Sequence, residues 1–323
     1  MKTRVAVIFG GKSVEHEVSI ISGLQAFAAL DRAKYEAVPL YIAKDGKWYT
    51  GEHMGDIESY KDMKGCLKRA VRVVPTSGEK GGADLLRWPP KRFGRNVVGS
   101  FDVALPVVHG TNVEDGTLSG YLETLGVPYA ACDVTSSALG MDKYQMKGAL
   151  RQAGIPVLEA VQFTGREYTA DPESLVNRVE AACAYPVIVK PVNLGSSVGI
   201  SRAADREALK AAVDEALSYS GRILVERAVP NLREINCAVL GDYDTAEASV
   251  CEEPLGAGEI LSYQDKYMRG NGGKNAAGGE KGGMSSLTRR LPADIPDELT
   301  QRVQELAVAT FRALNCLGVA RID

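Results

Sequence analysis

The chain has 323 residues, and 38 Lys and Arg against 41 Asp and Glu leave a formal charge of −3, with 45% hydrophobic and 24% charged residues. That composition is globular, and the length allows two or three domains, each able to bury a core without disulfides or structural zinc. The near-neutral balance excludes a dedicated nucleic-acid binder, which needs clustered Lys and Arg in excess, and no apolar run approaches the roughly 18 residues of a membrane span.

The six cysteines, Cys66, Cys132, Cys183, Cys237, Cys251 and Cys316, contain no C-x-x-C pair. They read as reduced and mostly buried in a cytoplasmic protein. The apolar run behind Met1-Lys2-Thr3-Arg4 is too short for a signal peptide. With three histidines, His16, His53 and His109, a His-rich metal site is excluded, and carboxylate-held Mg²⁺ is the expected ion.

In chain order, residues 5–9 read as a buried strand ending at Gly10-Gly11, and the spacing of Val18, Ile21, Leu24 and Phe27 predicts a helix after it. Residues 38–42 and 103–108 are further strands, 116–125 a helix, and a short strand is expected near Val127. Strands alternating with helices predict a parallel sheet. Residues 44–99, with charge, glycine and Pro89-Pro90, are expected to be a surface excursion outside the chemistry. A second unit starts near Thr135, with a helix over 141–152, a strand over 187–190, a return strand to Ile200 and a helix over 205–218. A third opens at Ile223 with strands over 223–226 and 235–240, and Gly241-Asp242 reads as a hairpin turn. Residues 270–283 hold seven glycines and should be mobile. The last helix is expected over 297–315 with Leu299, Val303, Leu306 and Leu314 on one stripe, closed by Gly318 before a strand. The expected domains are 1–134, 135–222 and 223–323.

Gly10-Gly11-Lys12-Ser13 is not a Walker A loop, since Ala6 stands where that motif needs glycine, and G-x-G-x-x-G is absent too. What remains is a glycine turn into a helix that opens with Ser13, Glu15, His16 and Glu17, where free N–H groups can meet a ligand. The same residues equally suit a plain helix start with acidic groups on its dipole. His109 to Gly116 follows an apolar strand at its carboxyl end, where ligands collect in open α/β sheets. His109, Glu114 and Asp115 could orient one another there, or simply cap the next helix.

Lys190 to Gly199 is more specific: an apolar strand delivers a lysine, a Gly/Ser loop follows, and the chain resumes as a strand. Such a loop offers consecutive N–H groups and hydroxyls to phosphate oxygens, with Lys190 supplying charge. Lys143, and Glu226 with Arg227 after the apolar residues 223–225, read as solvated charges or as nucleotide contacts, Glu234 being placed for ribose. Arg321 and Asp323 share a face of the terminal strand, so Asp323 could hold Mg²⁺ while Arg321 steadies an anion, or the two form an exposed pair.

Taken in order, Phe9 to Ser19, His109 to Gly116, Met141-Asp142-Lys143, Lys190 to Gly199, Glu226, Asp265-Lys266-Tyr267 and Gly318 to Asp323 resemble the D-alanine–D-alanine ligases of the ATP-grasp superfamily. The resemblance covers nearly the whole chain. It implies an N-terminal α/β domain with a parallel sheet, followed by a two-part ATP-grasp fold, with ATP as co-substrate, Mg²⁺ or Mn²⁺ as metal and a homodimer without nucleic-acid or membrane partners. The implied reaction phosphorylates the carboxylate of one D-alanine, and the amine of a second attacks the acyl phosphate, for peptidoglycan precursors.

Carried over residue by residue, Glu15 would hold the ammonium of the first D-alanine, with Ser196 and Tyr267 linked to it by hydrogen bonds. His109 and Glu114 would lie at the second substrate. Lys143, Lys190 and Ser197 would contact phosphates, and Lys266 the transferring phosphoryl group. Glu226, Arg227 and Val229 would frame adenine, Glu234 the ribose, Arg321 the oxyanion, and Asp323 the metal. The glycine-rich loop after Tyr267 would belong to a lid. Tyr267 favours an amine acceptor and leaves D-serine open. Val113 and Ser119 stand where many relatives have glycine and glutamine, which would tune the acceptor pocket. Family members continue past the position of Asp323 with a Glu-x-Asn metal pair and a Pro-Gly turn. The resemblance therefore also implies a ligase cut short and impaired, or an ATP-binding homologue without turnover.

Overall fold

The computed structural model describes residues 2–79, 81–195, 198–255 and 289–323. The chain divides into two compact units, Met1–Ser137 and Ala138–Asp323.

The first unit is built on β1 (Thr3–Gly10), α1 (His16–Ala29), β2 (Tyr35–Ile42), β3 (Trp48–Thr50), α2 (Met63–Arg69), β4 (Val71–Ser77), β5 (Ala83–Arg87), β6 (Val97–Phe101), β7 (Val103–Pro106) and α3 (Thr117–Thr124). Its sheet runs β6-β5-β4-β3-β2-β1-β7. β1 lies parallel to β2 on one side and to the edge strand β7 on the other. Because strand side chains alternate, β1 feeds two layers. Ala6 and Ile8 pack with Leu118 and Leu122 of α3, while Val7 and Phe9 pack with Ile20 and Leu24 of α1. Burying each such large side chain stabilises the fold by about 1.5–3 kcal/mol relative to exposure.

Residues 44–99 are not a surface excursion. They supply β3 to β6, which extend the sheet with antiparallel ladders. Val73, Ala83 and Leu85 are buried in the same core as β1, and Met54 and Cys66 join the α1 layer. The charge that suggested an excursion sits on the other positions of these strands, as at Arg72 and Asp84. The strand expected near Val127 is only a single bridge between Ala104 and Tyr129.

α4 (Val134–Met141) is followed in the second unit by α5 (Lys143–Gln152), β8 (Ala160–Thr164), α6 (Gly165–Ala170), α7 (Pro172–Ala182), β9 (Val187–Pro191), β10 (Ser201–Ala203), α8 (Arg206–Leu217), β11 (Arg222–Arg227), β12 (Asn236–Gly241), β13 (Ala246–Pro254), β14 (Arg289–Arg290), α9 (Asp297–Ala313) and β15 (Gly318–Ile322). The single helix expected over 141–152 is interrupted at Asp142, whose carboxylate accepts from the Tyr144 and Gln145 N–H groups and caps α5. An antiparallel sheet β10-β9-β11-β8 carries α7 and α8 on one face through Leu175, Val179, Leu209 and Val213. β11 pairs with β9 and β8, so residues 223–226 complete this sheet rather than open the next.

The second sheet is β14-β13-β12-β15. The turn at Gly241-Asp242 joins β12 to β13, with Asp242 N–H donating to the Thr245 carbonyl at 2.7 Å. α9 buries Ala307, Thr310 and Phe311. Leu299, expected on that stripe, is 46% exposed because the buried arc lies later in the helix. The glycine-rich stretch 270–283 lies outside the described residues. Among the described residues no helix is long and apolar enough to cross a membrane. All six cysteines are free thiols, and all but Cys132 are buried.

Candidate active site

In the first unit, β1 ends on Gly10 and Gly11 with φ of 91° and 108°. This turn is fixed from α1. Ser19 Oγ accepts from Gly10 N–H at 2.9 Å and donates to the Val107 carbonyl at 2.7 Å, tying the ends of β1 and β7 together. His16, 2% exposed, places Nδ1 at 2.6 Å from the Gly11 carbonyl and Nε2 at 3.0 Å from the Tyr41 hydroxyl. Burial pushes the imidazole below its ordinary value, although the Gly11 bond opposes it. A neutral ring donating from Nδ1 and accepting at Nε2 fits both contacts. His16 is thus a brace of the turn.

Glu15 immediately precedes α1 and is buried, with its N–H donating to Ser13 Oγ at 3.0 Å. Gly110, at φ 83°, lies against it; a Cβ at that position would run into Glu15 Oε2 at 2.6 Å and into Ser13 Oγ. The Gly110 N–H donates to Glu114 Oε2 at 2.8 Å, and Asn112 Nδ2 donates to the Lys12 carbonyl at 3.0 Å, locking the 109–116 loop onto the 10–15 turn. His109 Nε2 pairs with Ser22 Oγ at 2.8 Å. Glu15, His109 and Glu114 are therefore brought to one place, at the carboxyl ends of β1 and β7. Val113 and Ser119 point instead into the interior. Val113 belongs to the core against Gly11, and Ser119 Oγ donates to the Cys132 carbonyl at 3.1 Å.

In the second unit the loop after β9 is anchored to the start of α5. Lys143 N–H donates to the Val192 carbonyl at 3.1 Å, and its ammonium donates to the Leu194 carbonyl at 2.5 Å. Arg222 Nη1 holds the Asp142 cap at 2.6 Å. Glu226, 7% exposed near the end of β11, is gripped by two lysines: Lys190 from β9 on Oε1, and Lys147 from α5 on Oε2 at 2.8 Å. Burial alone would push this carboxyl up, but the two ammonium groups hold it below its usual range. Arg227 and Val229 follow on the surface, and Glu234 is half-buried ahead of β12.

Arg321 and Asp323 lie at the end of β15, where Arg321 Nε donates to Asp323 Oδ1 at 2.8 Å. Among the described residues no three acidic, His or Cys groups converge on a point that could hold a metal. One carboxylate already answered by an arginine does not make an octahedral oxygen cage. Ser196, Ser197, Lys266 and Tyr267 lie outside the described residues.

Lys147 was missed by reading the sequence. Its signal is the i, i+4 spacing from Lys143, which puts both on one face of α5. Arg233 was missed too. Its guanidinium forks onto Glu253 Oε1 at 2.7 and 3.0 Å, which fixes the backbone next to Glu234.

Residues 4–132 match the family model described as D-ala D-ala ligase N-terminus, and residues 149–323 match D-ala D-ala ligase C-terminus. The chain is 37% identical over 320 residues to a D-alanine–D-alanine ligase of Thermosipho melanesiensis, covering 99% of this chain and 81% of that protein. It is 38% identical over 324 residues to one of Caldicellulosiruptor bescii, covering 100% and 82%. Among solved structures, the D-alanine–D-alanine ligase from Coxiella burnetii superposes with a TM-score of 0.78 at 29% identity, covering 100% of this chain and 80% of that one. The VanG D-Ala:D-Ser ligase from Enterococcus faecalis gives 0.77 at 31%, covering 99% and 85%.

Proposed function

The chain belongs to the D-ala D-ala ligase family and is a ligase enzyme, and we propose that it joins two D-alanines to D-alanyl-D-alanine for cell-wall precursors, converting ATP to ADP and phosphate. The reaction begins when a carboxylate oxygen of the first D-alanine attacks the γ-phosphorus and ADP leaves. The neutral amine of the second D-alanine then attacks the acyl carbon, loses a proton, and phosphate departs as the peptide bond forms.

The observation that carries this reading is the buried Glu15 carboxylate beside Gly110. A negative charge kept at a strand end, with only a hydrogen atom on the neighbouring Cα, suits the ammonium of a small amino acid. His109, set by Ser22, and Glu114, set by Gly110 N–H, take the second substrate. Lys143 and Lys190 take phosphate oxygens, Glu226, Arg227 and Val229 the adenine, and Glu234 the ribose. Arg321 neutralises the oxyanion of the tetrahedral intermediate. Ser196, Ser197, Lys266 and Tyr267 keep the roles the family resemblance gives them. Binding and charge neutralisation supply most of the catalysis.

Isotope transfer tests the pathway. With D-alanine labelled by ¹⁸O in its carboxylate, the inorganic phosphate released should carry one ¹⁸O; unlabelled phosphate would contradict an acyl phosphate. The likeness to a D-Ala:D-Ser ligase favours a second reading, in which D-serine is the acceptor. The mass of the dipeptide formed from mixed acceptors separates the two.

A further inference from the structure

Glu226 is answered by two lysines that are not equivalent. Lys147 comes from the helix face shared with Lys143; its ammonium donates to the Leu158 carbonyl at 3.1 Å and faces Glu226 Oε2 as an ion pair at 2.8 Å, with the side chain 12% exposed. Lys190 comes from the strand next to β11, one residue before that strand ends at Pro191. A phosphate approaching that strand end competes with Glu226 for Lys190. It does not compete in the same way for Lys147, which is pinned by a backbone carbonyl as well.

We propose that Lys147 is the positioning residue of the nucleobase pocket, holding Glu226 as an oriented hydrogen-bond acceptor so that the pocket takes adenine and rejects guanine. This rests on the reading of Glu226 as part of the adenine frame. An ionised carboxylate only accepts hydrogen bonds. At the 6-position adenine presents a donor amine and guanine an acceptor oxygen, so a carboxylate fixed there, and kept from sliding to guanine's N1–H and 2-amino donors, attracts one and repels the other. When Lys190 turns to phosphate, a carboxylate this buried would favour the neutral form, which can donate to guanine. Lys147 keeps the charge in place when Lys190 has left it.

The test is calorimetric titration of ADP and of GDP into the full chain, which needs no turnover. Wild type should prefer ADP. Lys147→Met should lower the ADP-over-GDP affinity ratio by about tenfold, the scale of one charge-assisted hydrogen bond, and Lys147→Arg should restore most of it. A merely structural loss would weaken both nucleotides alike and leave the ratio unmoved. Should Lys147→Met melt below the assay temperature, Lys147→Gln, which keeps a donor but removes the charge, carries the same comparison. Glu226→Gln, whose amide both donates and accepts, separates the two levels of inference. If it collapses the ratio while Lys147→Met keeps it, the role of Lys147 is overturned and the adenine frame stands. If both variants keep the ratio, the adenine frame falls and the role of Lys147 with it.

Discussion

Glu15 in the first unit and Glu226 in the second are both buried carboxylates near strand ends, but they are held by different means. Around Glu15 the turn is set by backbone and by neutral side chains: two left-handed glycines, a serine bridging β1 to β7, a neutral His16 on the Gly11 carbonyl, and Gly110 against the carboxylate. Around Glu226 they are charges, with Lys147 and Lys190 on its two oxygens. Under the proposed function, the difference matches the two kinds of ligand. A backbone cradle fixes shape, which suits selection of a small amino acid. A charge cluster in a low-dielectric setting can exchange partners, which suits a polyanion that arrives and leaves.

Removing the carboxylate from the charge cluster should have the largest effect. Glu226→Ala leaves two shielded ammonium groups facing one another without an anion, and should lower unfolding stability by about 3–5 kcal/mol in urea titration. A loss below about 1 kcal/mol would mean that the lysines turn freely to solvent and the comparison fails. Next is the backbone cradle. Gly110→Ala places a methyl at φ 83° against Glu15 and should lose about 1–3 kcal/mol. It should also weaken D-alanine-dependent ADP release while ADP affinity stays unchanged, and equal losses of both would merge the two halves.

His16 sharpens the comparison through pH. Its folded pKa lies below the ordinary 6.5 because the ring is buried, so the unfolded chain takes up the proton first. The stability it contributes is complete above pH 6.5 and is lost as pH falls from there toward the folded value. The melting temperature should therefore drop between pH 7 and 5.5, and His16→Gln should flatten that drop. Glu17, held low by Lys44 despite the burial that would raise it, loses its share only below the usual carboxylate range, so it does not mask this window. The smallest effect is expected for Lys44→Ala, which removes an exposed partner of Glu17. Stability should change by less than about 0.5 kcal/mol, because solvent screens the pair.

The parts of this arrangement that are local in sequence were legible in it. Gly10-Gly11 after an apolar strand announces the cradle, and a lysine on the apolar strand before a Gly/Ser loop announces Lys190. What needed the fold is non-local. Lys147 gains meaning only from a glutamate 79 residues later, which the pairing of β9 with β11, with α8 between them in the chain, brings within its reach. β11 could not be assigned to its sheet from composition, since an apolar run of that length fits either neighbour. Residues 44–99 were misread because short strands carrying charge on alternate positions resemble a surface loop until their buried positions are counted.

The most direct test is to incubate the purified chain with ATP and D-alanine and to quantify dipeptide and ADP together. The account predicts D-alanyl-D-alanine and ADP in equal amounts, both lost in Glu15→Gln while ADP still binds. ATP binding with no D-alanine-dependent ADP, or ADP without dipeptide, would contradict it.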